Sequence, residues 1–176
     1  KTYVMIVFGL SLGLFYLKSS LFWMPTFLIS AWTLSPTVYL DLPYAAVISI
    51  KSFTELSGSL LGLPILVFAA ESWHYGFNSC SGYGGYQRAI PAVVALVTTF
   101  AGIAGLGQIY MSDKNYIGLV AAAFINSFMA APIYSLGTQM LLNVCPKAQR
   151  TSAISLVNLI TGIVTLPAEQ VIGGVS

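Results

Sequence analysis

Charge is the scarcest property of this 176-residue sequence: Asp, Glu, Lys and Arg make up 7% of it, where soluble domains carry about 25%. So few charged side chains cannot cover the exterior of a water-soluble fold, and 57% of the residues are hydrophobic. With a mean hydropathy of +0.84, lipid is the expected solvent for most of the surface. The seven Lys and Arg are scattered without a basic run, so nucleic-acid binding has no electrostatic footprint. Histidine is nearly absent, and His74 alone cannot build a histidine-based triad or a di-histidine metal site. Cys80 and Cys145 lie far apart without a His at metal spacing, so both read as small apolar residues rather than zinc or redox groups. Gly82-Tyr83-Gly84-Gly85 is glycine-rich but lacks the GK[ST] ending of a P-loop. No metal, no cofactor and no enzyme activity is expected.

Long apolar runs are what the sequence has in abundance. A helix needs roughly 20 apolar residues to cross about 30 Å of hydrocarbon, and five segments reach that length, near 3–32, 42–70, 89–111, 115–144 and 150–174. The expected fold class is all-α, a polytopic membrane helix bundle forming one membrane domain over 1–176. The first run is too long for a signal peptide. Between the first two spans, Thr33-Leu34-Ser35-Pro36 and Asp41-Leu42-Pro43 combine helix-stopping prolines with an Asp able to cap the next helix. The stretch 71–88, rich in Gly, Ser, Asn and Tyr, reads as the largest loop, and 111–115 and 145–150 read as tight turns.

Lys1, Arg88, Lys147 and Arg150 then fall on one side of the membrane and Lys114 on the other. The positive-inside rule makes the first side, with loop 71–88, cytoplasmic. Five spans start inside and end outside. A start at Lys1 without Met and a stop straight after an apolar run read as a piece of a longer protein, with a sixth helix expected beyond Ser176. Trp23, Trp32, Trp73 and Tyr75 suit aromatic belts or the helix interior.

Ionisable residues inside spans cost about 2.5–3.5 kcal/mol each on insertion scales and normally face protein or a wet cavity. Lys18, Lys51, Glu55 and Glu169 are such residues. Lys51 and Glu55, four apart, share a helix face. They are either a local structural pair or a cavity pair, with Glu55 taking a proton or cation and Lys51 an anionic headgroup. Lys18 lies on a face with Ser11, Phe22 and Pro25, and reads as a cavity-facing cation for a phosphate or carboxylate, or as a snorkelling side chain. Ser155, Asn158, Thr165 and Glu169 form a polar stripe with Gly162 on the fifth span. It either lines a solute path or bonds a neighbouring helix; Ser155 and Asn158 are assigned to helix packing and Glu169 is left open. Gly9 with Gly13, and Gly58 with Gly62, are small-xxx-small pairs that let helices approach closely. Pro25, Pro64, Pro132 and Pro167 fall within or near the ends of spans and permit kinks.

Three features together resemble the second half of a major facilitator superfamily transporter. These are the long gapless spans, the turn Pro146-Lys147-Ala148-Gln149-Arg150-Thr151-Ser152-Ala153, which is similar to the P-x-x-x-R-x-x-A turn between helices ten and eleven, and Gly58-Ser59-Leu60-Leu61-Gly62 in the second span. The five spans would be helices seven to eleven of twelve, a partial major facilitator fold, with the Spinster-like transporters as the most similar subgroup. Residues 71–88 hold no Asp and a single Arg88, so the superfamily's Asp-Arg turn between helices eight and nine is not matched. The resemblance implies alternating access by two halves around a midplane site. It also implies lipid-type cargo such as lysophospholipid or sphingosine phosphate, with proton coupling, and a lysosomal, endosomal or plasma membrane. It places Lys18, Glu55, Asn126 and Glu169 in a cavity, and Lys147 and Arg150 in a cytoplasmic turn. The expected partners are the bilayer, the solute and the remaining half of the same transporter. A carrier of polar organic solutes, a non-transporting scaffold or receptor, and a membrane enzyme are the competing readings.

Overall fold

The computed structural model describes the backbone of residues 2–75 and 85–173, and the side chains of 3–18, 23–70, 72 and 90–163. Every described element is helical: α1 (Thr2–Leu34), α2 (Tyr44–Tyr75), α3 (Gly85–Met111), α4 (Tyr116–Ala130), α5 (Ile133–Val144) and α6 (Arg150–Gly173), with single 3₁₀ turns at Pro36–Tyr39 and Lys147–Gln149. Among the described residues, four stretches are long and apolar enough to cross a membrane: Tyr3–Leu34, Tyr44–Ala70, Ile90–Met111 and Tyr116–Val144. At 1.5 Å per residue, the 33 residues of α1 run about 50 Å, more than the hydrocarbon thickness. Large apolar side chains such as Leu60, Phe68, Ile103, Leu106 and Ile117 point outward from these helices, the reverse of a soluble protein. The fifth expected span coincides with α6, whose last side chains, with those of Thr165, Pro167 and Glu169, lie outside the described residues.

Three expectations need correction. The segment 71–88 is not all loop, because α2 continues to Tyr75 and α3 begins at Gly85. No Gly or Pro interrupts residues 71–75, and helical hydrogen bonds persist past the apolar window; residues 76–84 lie outside those described. The expected span 115–144 is present as Tyr116–Val144, and within it α4 gives way to α5 at Ala131 and Pro132, one of the prolines expected to permit kinks. Asp41 does not cap α2. It and Leu40 hold positive φ angles of 55° and 57°, and the Pro43 carbonyl accepts from Ala46 N and Val47 N instead. Gly9 and Gly13 do not act as a pair: Gly13 faces the Ile133 side chain while nothing approaches Gly9 within 4 Å.

The chain divides into two compact units. The first unit takes the start of α1, the end of α2, the start of α3, α5 and α6 (Lys1–Ser19, Val67–Ala95 and Pro132–Ser176). Its core packs Val7 and Leu10 of α1 against Leu141 of α5 and Ala153 and Val157 of α6. Ser11 meets Thr161 across the same seam at 3.5 Å between hydroxyl oxygens, and the Tyr3 hydroxyl donates to the Ala153 carbonyl at 3.4 Å.

The second unit takes the rest of α1 to α3 and all of α4 (Ser20–Leu66 and Leu96–Ala131). Met24, Leu28, Ala31, Tyr39, Val47, Tyr116 and Leu119 form its core. Its connections are pinned by side chains. Trp32 Nε1 donates to the Leu42 carbonyl at 3.0 Å, and the Tyr44 hydroxyl to the Pro25 carbonyl at 3.1 Å. Asn115 caps α4, its Oδ1 accepting from Ile117 N at 3.0 Å and Gly118 N at 3.3 Å. α2 and α4 pack with their backbones nearly touching. A Cβ on Gly58 would lie 2.7 Å from the Phe124 carbonyl oxygen, and one on Gly62 would overlap that of Phe128. Glycine is required there because no side chain fits between the two backbones.

Candidate functional site

Burial in an apolar medium penalises every polar group that lacks a partner, so the buried polar residues mark where the sequence departs from simple helix packing. Among the described residues of the first unit they are Ser11 and Thr161, which meet each other. In the second unit they are Lys51, Gln108, Ser112 and Asn126.

Lys51 and Glu55 form an ion pair of 2.5 Å, with the ammonium donating to Oε1. Lys51 is 6% exposed, and Glu55 is only partly exposed. Taking both charges from water costs several kcal/mol per ion, which their mutual attraction offsets. The helix face they share is the one that packs on α4: Val47, Lys51, Glu55, Gly58 and Gly62 recur at i, i+4, i+8, i+11 and i+15.

Contacts of α4 with α2 and α3 fix the depth of these groups within the second unit. Toward one end, the Tyr116 hydroxyl donates to the Val47 carbonyl at 3.0 Å; toward the other, Gly58 abuts Phe124. Lys51 and Glu55 lie between these two points, level with Leu119 to Ala123 of α4. On α3, Gly107 faces Ala122 and Met111 faces Gly118, which sets Gln108 at that same depth. Gln108 belongs to the buried stripe Val97, Ala101, Ala104, Gln108 and Ser112, is 1% exposed, and has no hydrogen-bond partner for Nε2 or Oε1. Asn126 is buried two turns farther along α4.

One turn from Gln108, the Tyr39 hydroxyl donates to the Ser112 carbonyl, and the Tyr39 and Tyr116 rings stand 5.5 Å apart. Tyr39 is fully buried, and this burial, followed by the Asp113 carboxylate and Tyr116, pushes its pKa up to about 12. The phenol stays protonated and available as a donor at any physiological pH.

The other expected site residues are dispersed. Lys18, in the first unit, is exposed although Ser11 on the same helix face is buried. Asn158 bonds the neighbouring helix as expected, its Oδ1 accepting from the Tyr134 hydroxyl of α5 at 3.4 Å, though it stays exposed; Ser155 is exposed too. Ala153, Val157 and Thr161 form the packed face of α6, four residues apart and rotated away from the expected stripe. Lys147 is exposed in its 3₁₀ turn, while Arg150 is half-buried with Nε lacking a hydrogen-bond partner. Glu169, Arg88, His74 and Cys80 have side chains outside the described residues. Cys145 is a free thiol, partly buried beside the first unit's core.

Gln108 is the site residue that sequence reasoning missed. The available signal was its place on a stripe of small and apolar residues, Val97, Ala101 and Ala104, at helical spacing. No protein-family model, no curated protein and no solved structure matches the chain.

Proposed function

We propose that the chain is part of a secondary transporter of major facilitator type that moves a small-molecule or lipid-type solute by alternating access. The observation that carries the reading is the buried Lys51–Glu55 pair in a helix of membrane-spanning length. A buried, mutually neutralised pair at an intramembrane position is a two-state element: protonation of Glu55 releases Lys51, whose unpaired charge then seeks water or an anionic solute. The interrupted fourth span supports it. Pro132 falls near the middle of Tyr116–Val144, and carriers use broken helices at that depth to build solute sites. Lipid-type cargo of the Spinster-like kind, with the remaining half of the transporter supplying the opposite wall, is the form of this reading that the sequence resemblance favours.

Glu55→Gln tests it. Full-length protein in proteoliposomes is assayed for uptake of lysophospholipid, and separately of polar solutes, with and without an inward proton gradient. The expected result is loss of gradient-driven uptake with solute exchange retained, because Gln keeps the shape but cannot gain or lose the proton. Unchanged proton coupling in the variant removes Glu55 from the mechanism, and uptake of sugars alone removes the lipid cargo.

A further inference from the structure

Gln108 carries hydrogen-bonding capacity that nothing in its surroundings uses. Its amide is 99% withdrawn from solvent, and neither Nε2 nor Oε1 has a partner. Such a group in an apolar setting is costly unless a visiting molecule satisfies it. The side chains one and two turns away on its stripe are Ala104 and Ala101, and buried Ala123 lies on α4 at a neighbouring depth. The charges at this depth, Lys51 and Glu55, are engaged with each other. Gln108 is therefore the group placed to read an uncharged ligand.

The geometry points to Gln108 as a binding residue for a hydroxyl group carried by an amphiphile. A primary amide offers a donor, Nε2, and an acceptor, Oε1, side by side. A hydroxyl accepts from the first and donates to the second, whereas a phosphate can only accept and an ammonium can only donate. The apolar stripe Val97, Ala101 and Ala104 on the same face of α3 favours a carrier with an acyl chain, arriving from the bilayer, over a free polyol. A resident water has the same hydrogen-bonding chemistry, and the experiment separates the two sources. The inference rests on the transporter reading, because it makes Gln108 a contact of the carried solute.

Full-length protein in nanodiscs is titrated with 1-monooleoylglycerol and with propyl oleate, the same ester lacking both hydroxyls, while thermal unfolding is followed. Monooleoylglycerol is expected to raise Tm and propyl oleate to leave it unchanged. Gln108→Leu should weaken the apparent affinity for monooleoylglycerol roughly ten-fold. Without ligand, the variant should unfold no lower than wild type, since it loses no resident partner. An equal response of the wild type to the two esters, including no response, overturns the assignment, as does a Gln108→Leu protein that binds monooleoylglycerol as tightly as wild type. Unfolding of the ligand-free variant several degrees lower shows that a resident water holds the amide, and overturns it as well. The outcome is independent of Glu55→Gln. Ester discrimination through Gln108 with intact proton coupling in that variant sinks the coupling mechanism and leaves the site, and the converse sinks the site alone.

Discussion

Among the described residues of the first unit the buried polar groups are two hydroxyls, Ser11 and Thr161, which meet within an apolar seam of Val7, Leu10, Leu141, Ala153 and Val157. The second unit buries a charge pair, an unpartnered amide and Asn126 within a few turns of one another. Its helices are nonetheless closely packed, with Gly62 against the Phe128 backbone, as are those of the first unit, where Gly137 lies against Leu10. Loose packing is thus not what admits the polar groups. Close α2–α4 contact in an apolar environment holds them at a set depth.

The sharpest way to break this contrast is to unbalance the charge pair. Lys51→Met leaves Glu55 beside an apolar partner and should destabilise the second unit by about 3–5 kcal/mol, whereas the double change Lys51→Met with Glu55→Leu should recover most of that loss. Ser11→Ala in the first unit removes one weak bond and should cost about 1 kcal/mol. Thermal unfolding of the full-length protein in detergent reads all three, and equal losses for Lys51→Met and Ser11→Ala would erase the distinction. The glycines come next. Gly62→Ala drives a Cβ into the Phe128 carbonyl and should cost about 3 kcal/mol, while Gly9→Ala, with nothing within 4 Å, should stay within about 0.5 kcal/mol of wild type.

Alkaline pH probes the layer beneath the α1–α2 connection. Tyr39 keeps its proton to about pH 12 when folded but releases it near pH 10.0 when unfolded. The folded state binds the extra proton between those values, so stability present below pH 10 falls by roughly 2–3 kcal/mol as pH rises through 12. Tyr39→Phe should flatten that limb in a pH series of unfolding midpoints. A small effect of the opposite sign is expected at Leu40, an exposed side chain with φ of 57°, where Leu40→Gly should stabilise by about 1 kcal/mol by relieving the left-handed backbone.

Helix positions were readable because length and apolarity alone decide whether a segment can span lipid. The Lys51–Glu55 pair was readable because i,i+4 spacing within one helix needs no tertiary knowledge. The break at Ala131 and Pro132 was not. Pro25, Pro64 and Pro91 all sit inside continuous helices, so proline alone does not say which span will part. The packed face of α6 was misplaced for a related reason. Ser155 is exposed and Asn158 bonds Tyr134 of α5 at an exposed position, whereas Thr161 is the residue opposite Ser11, and only the neighbouring helix determines that. Gln108 escaped notice because its isolation depends on what three other helices do not offer it.

The interruption of the fourth span has a consequence for how the sequence can drift. Pro132 has no N–H to give the carbonyl of Phe128 four residues earlier, and that same oxygen is the one lying over Gly62. A residue other than proline at 132 would supply an N–H for that carbonyl and draw it back into its own helix, so the space over position 62 would open. The two positions should therefore tolerate change only in concert: Gly62→Ala should be less damaging beside Pro132→Ala than alone. Such non-additivity would tie together two distant letters of the sequence that share a single oxygen atom.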